Sequence, residues 1–124
     1  MNAWLLCAGI LLAIVGVMHS MLGERLVFRR LRSKGIVPTE GGSHLNERHV
    51  RILWATWHLA SIWGWAASFV LLYASRDPVP KVVIDALMAG AAVSAILVLV
   101  GTRGRHPGWI ALLAVALLVW CAPR

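Results

Sequence analysis

The sequence predicts an all-α, polytopic integral membrane protein: a bundle of four transmembrane helices with a short amphipathic helix on the cytoplasmic interface. Three observations carry that expectation. Of 124 residues, 60% are hydrophobic and only 14% charged, with a mean hydropathy of +0.76. A soluble domain carries about 25% charged residues, and a chain this short could not bury so much apolar surface as a soluble globule. The apolar residues also fall into four runs, separated by charged or proline-containing breaks.

A helix needs about 20 apolar residues to cross the hydrocarbon core of a bilayer. Span 1 is expected over residues 3–22. No Lys or Arg occurs before Arg25, so the positive region of a cleaved signal is absent and the run reads as a retained helix. Residues 24–34 (ERLVFRRLRSK) are amphipathic: Leu26, Val27, Phe28 and Leu31 share one face, and Arg25, Arg29 and Arg32 recur on another. That pattern suits a helix lying on the membrane surface, with Arg25, Arg29, Arg30 and Arg32 on anionic headgroups. Residues 35–46 are rich in Gly, Pro and Ser and read as a loop. Span 2 covers residues 51–75, until Asp77-Pro78-Val79-Pro80 removes backbone donors and breaks the helix. Span 3 covers 81–101. Pro107 then suits the first turn of span 4, over 108–122, with Trp109 and Trp120 as interface anchors. The chain reads as one membrane domain.

The 12 Lys and Arg residues outnumber the 5 Asp and Glu. In a soluble chain this excess would point to nucleic acid; beside apolar spans it sets topology instead, so no nucleic-acid partner is expected. Arg25, Arg29, Arg30, Arg32, Lys34, Arg48 and Arg51 lie between spans 1 and 2, and Arg103 and Arg105 between spans 3 and 4. Arg76, Lys81 and Arg124 fall on the opposite side. The positive-inside rule makes the richer side cytoplasmic and both termini external, as in a bacterial inner membrane protein with periplasmic termini. Cys7 and Cys121 then share the oxidising side, either paired with each other or as two buried thiols. With no CxxC motif, neither a zinc ribbon nor a membrane thiol oxidoreductase is indicated.

Span 1 bears small residues at Gly9, Ala13, Gly16, Ser20 and Gly23, a stripe that permits close helix approach. Ala86, Ala89, Gly90, Ala92 and Ala95 give span 3 a similar zone, which makes a homo-oligomer or a larger membrane complex plausible as an assembly. Asp85 is placed to pair with Lys81 one turn away. On span 2, Arg51, Trp54, His58, Ser61, Trp65 and Ser68 recur on one helical face. His58 lies seven residues inside Arg51, about 10 Å deep at 1.5 Å per residue. An ionisable side chain at that depth is costly and marks function by default. His19 on span 1 lies within a helical turn of the same depth.

These residues suggest a histidine-centred site between spans 1 and 2, near the cytoplasmic side. His19, His58 and Glu24 would be metal ligands for iron, copper or zinc, or the two histidines would clamp a haem b. Arg51, Trp54, Trp57, Ser61 and Trp65 would line the cofactor; Arg51 would meet a propionate or pair with Glu24, and Ser20 and Ser61 would orient the rings. Two other readings stand beside this one. The chain could be an accessory or assembly subunit without chemistry of its own, its His/Trp face only specifying helix pairing. It could also bind a quinone or lipid through His58 and Arg51. No catalytic residue is assigned.

Overall fold

The computed structural model describes residues 1–123. These form four α-helices, α1 (Ala3–Leu26), α2 (Glu47–Ala74), α3 (Lys81–Gly101) and α4 (Gly108–Cys121), with a 3-10 turn at Phe28–Leu31 after α1. No β-strand occurs among the described residues. By length and composition, two segments are apolar enough to cross a membrane, Ala3–Leu31 and α3. The 14-residue α4 is apolar but shorter.

The helix boundaries differ from expectation where side chains intervene. α2 begins one turn early, at Glu47, because Asn46 Oδ1 accepts the His49 N–H at 3.1 Å and so satisfies a donor of the first turn. Residues 24–34, expected as one interfacial helix, divide instead. α1 runs on to Leu26, and the 3-10 turn follows with Phe28 buried rather than laid on a surface.

Contacts divide the chain into two compact units, with α1 and α2 each contributing to both. The first unit holds Met1–Val15 and the chain from Gly64 onward. Its core is Leu5, Ala8, Leu71, Ile84, Val115, Val119 and Ala122. Asn2 fixes three ends at once. Its Oδ1 accepts the N–H groups of Trp4 and Leu5, at 3.1 and 3.3 Å, and caps α1; its backbone N–H donates to Ser75 O at 2.7 Å; its Nδ2 donates to Pro123 O at 3.3 Å. Further along, the buried Ser68 hydroxyl donates to Gly9 O at 2.7 Å. A Cβ on Gly9 would come within 2.8 Å of Leu72, so the glycine is what lets these two backbones approach. α3 packs along α4, and the turn between them places Arg103 (φ 52°) and Gly104 (φ 74°) in the left-handed region, with Gly104 N–H closing on Leu99 O at 2.8 Å. Lys81 pairs with Asp85 as the spacing implies. Cys7 and Cys121 are both free and exposed, so they are neither a disulfide nor buried.

The second unit is Gly16–Trp63: the end of α1, the 3-10 turn, the loop and the start of α2. Phe28, Val50 and Pro38 are its most deeply buried side chains. The loop closes through Leu31 O, which accepts the N–H groups of Thr39 and Glu40, and an isolated bridge joins Gly41 to Leu45.

Candidate functional site

Within the second unit, α1 and α2 meet through two adjacent sets of side chains. One set is apolar and aromatic. The His19 ring stacks on the Trp57 indole, centroids 4.4 Å apart and planes within 5°, and Trp57 Nε1 donates to His19 O at 2.9 Å. Gly23 lies under the same indole, where any Cβ would overlap it. Phe28 meets Trp57 edge-on at 5.6 Å.

The other set is polar and centres on His58. Ser20 Oγ hydrogen-bonds His58 Nδ1 at 2.9 Å, and His58 Nε2 stands 4.0 Å from Glu24 Oε2. Ser20 and Glu24 are four residues apart on α1, so they share one helical face and together address one imidazole. Arg32 Nη1 in turn donates to Glu24 Oε1. Trp54 packs edge-to-face on His58, centroids 5.1 Å apart, and Phe28 lies 6.0 Å away, tilted. His58, Glu24 and Arg32 are 26%, 34% and 22% exposed, so the cluster is partly sheltered yet open on one side.

The expected residues separate accordingly. His58, Glu24, Trp54 and Ser20 are brought together. His19 is on the neighbouring face, engaged with Trp57. Arg51 does not reach Glu24; it pairs instead with Glu47, one turn away, at 3.3 Å and half exposed. Ser61 is buried on the α2 face that carries His58, and its hydroxyl has no hydrogen-bond partner. Trp65 belongs to the first unit and is exposed. Among the described residues no group of three His, Cys, Asp or Glu side chains is placed to hold a metal ion.

Sequence reasoning assigned two members of the cluster elsewhere. Arg32 was expected on lipid headgroups, and Phe28 on an interfacial apolar face. Eight residues separate Glu24 from Arg32, about 12 Å along a straight helix, which is too far for a pair. The break after Leu26 and the 3-10 turn fold the chain back and close that distance. The polar chain Ser20–His58–Glu24–Arg32 can orient an imidazole, hold a ligand at Nε2, or relay a proton between hydroxyl and carboxylate. Comparison of the chain with protein-family models, with curated proteins and with solved structures found no match.

Proposed function

We propose that this is a small integral membrane protein with four spans and external termini, whose working element is a histidine-centred ligand site formed by α1 and α2 near the cytoplasmic side. The membrane reading rests on apolar surface that the chain itself does not cover. The apolar windows of Ala3–Leu31 and α3 are only 22% and 11% buried, and large side chains such as Trp63, Phe69, Val93, Leu97 and Trp120 are exposed. Water would not tolerate patches of this extent on a monomer, whereas lipid covers them without cost. Arg25, Arg29 and Arg30 are exposed on the richly basic side and would face anionic headgroups. Arg32 leaves that set because it is held by Glu24.

The site reading rests on one observation: Ser20 occupies Nδ1 of His58, which leaves Nε2, the ring's other nitrogen, 4.0 Å from Glu24 Oε2. A metal or haem-like group would be held at that Nε2, with Glu24 as the nearest carboxylate. Arg32 would then have to give up its carboxylate.

Two measurements test the proposal. Reporter fusions at each terminus and in the loop after α1 should place the termini together outside and the loop inside. Protein purified in mild detergent should carry a co-purifying group, seen by optical spectrum, metal content or lipid extraction, that is lost in His58→Ala and kept in His49→Ala. A soluble chain, or a bound group indifferent to His58, would overturn the reading.

A further inference from the structure

We infer that a groove beside the first turns of α2 binds one phospholipid with a phosphodiester head and no cationic group, of the phosphatidylglycerol class. This rests on the membrane reading and is independent of what His58 holds. Asn46, Glu47, Arg48, Arg51 and Ile52 line a groove of about 580 Å³, wholly within the second unit. Arg48 and Arg51 are three residues apart, so their side chains leave neighbouring positions on one helical face. Glu47 pairs with Arg51 at 3.3 Å. Arg48 is exposed and has no ion-pair partner among the described residues. Two guanidinium groups against one carboxylate leave the groove one positive charge. A phosphodiester carries one negative charge and offers guanidinium groups the oxygens they bind in pairs.

The helix face below the groove fits the rest of such a ligand. Ile52 lies about one turn from Arg48, and Ala55, Leu59 and Ile62 follow at steps of three and four, all on the exposed side of α2. Ile52, Leu59 and Ile62 are each about half exposed. Thr56 interrupts this apolar stripe, but its hydroxyl donates to Ile52 O at 2.9 Å, so it asks nothing of a hydrocarbon neighbour. The rise from Ile52 to Ile62 is about 15 Å, the depth of one leaflet in a hydrocarbon core about 30 Å thick. Charge at the top and a leaflet's length of apolar surface beneath it suit a phosphate ester joined to acyl chains; a free phosphate would use only the first. A zwitterionic head would add a cation beside two arginines and leave the groove's charge unbalanced.

The test uses the full chain in mild detergent with an equimolar mixture of phosphatidylglycerol, phosphatidylethanolamine and phosphatidylcholine of the same acyl chains. Native mass spectrometry identifies the last lipid that each chain loses on activation. The expected result is one phosphatidylglycerol per chain. Its preference over the other two should fall up to about fivefold in Arg48→Gln and rise by a similar factor in Glu47→Gln, as for one charge beside an anionic head. Arg105→Gln, the same loss of charge on the exposed turn before α4, should leave that lipid in place, and inorganic phosphate should not displace it. All three positions are exposed and a half-exposed ion pair contributes little to stability, so an unchanged melting profile is expected of each variant. Equal preference in wild type, Arg48→Gln and Glu47→Gln would overturn the inference. So would retention of phosphatidylethanolamine in place of phosphatidylglycerol, or displacement by inorganic phosphate; in each of these cases the membrane reading and the His58 site stand. A chain that stays in solution without detergent would overturn the membrane reading and this inference together.

Discussion

Gly23→Ala inverts the usual effect of replacing a helical glycine, and the structure gives its size. In an open helix interior the change stabilises by about 1 kcal/mol, because alanine loses less backbone freedom on folding. At Gly23 the added methyl would overlap the Trp57 indole at Nε1, Cε2 and Cδ1. That ring cannot retreat freely, since it is stacked on His19 and bonded to His19 O. Overpacking of this kind costs about 1–3 kcal/mol, and displacing the indole loses a hydrogen bond worth about 0.5–1.5 kcal/mol. The net expectation is destabilisation of about 1–3 kcal/mol. Gly90→Ala is the matched control, because nothing lies within 4 Å of its Cβ position; it should be neutral or stabilising. Unfolding in mixed micelles with increasing SDS, followed by tryptophan fluorescence, measures both. If Gly23→Ala proves as stable as Gly90→Ala, the α1–α2 contact at Trp57 is wrong, and the placement of Ser20 opposite His58 goes with it.

Three further outcomes are expected. Glu24→Gln leaves Arg32 without its counter-charge in a site of intermediate exposure, between a surface pair and a buried one, and should cost about 1–2 kcal/mol; the double variant with Arg32→Gln should recover part of that loss in a thermodynamic cycle. Replacing Arg25, Arg29 and Arg30 together with Gln should lower the preference for phosphatidylglycerol over phosphatidylcholine by up to about 1 kcal/mol per charge, read by native mass spectrometry of retained lipids, whereas Arg32→Gln should leave that preference unchanged. Arg103→Gly relieves a non-glycine residue at positive φ in the α3–α4 turn and should raise stability by up to about 1 kcal/mol in the same SDS titration.

How much of this was legible in the residues depends on which coordinate is asked for. Position along a helix was well determined. α3 occupies its expected 81–101, Lys81 finds Asp85 one turn away, and the small residues Gly9, Ser20 and Gly23 do lie against α2 side chains. These follow from 1.5 Å per residue and from the runs of apolar side chains, which are local facts. Rotation about the helix axis was much less determined. His19 and Ser20 are adjacent in sequence and nearly equal in depth, yet 100° apart around α1 at 3.6 residues per turn. Depth alone favoured the pair of imidazoles. The face is decided by Gly23, whose missing side chain admits the Trp57 indole beside His19 and leaves Ser20 and Glu24 for His58.

The same distinction explains why Arg32 was misplaced and why its true position matters. As a sequence, ERLVFRRLRSK has an amphipathic period, and period describes a helix that continues. It carries no information on where the helix stops. Once α1 ends at Leu26, Phe28 turns inward against Trp57 and His58, and Arg32 arrives at a carboxylate that a continuous helix would have left about 12 Å behind. A carboxylate already neutralised by arginine is a poorer metal ligand and a better fixed partner for an imidazole. The short 3-10 turn therefore changes the chemistry of the site: the carboxylate that faces His58 is held in an ion pair with Arg32 instead of standing alone beside the imidazole.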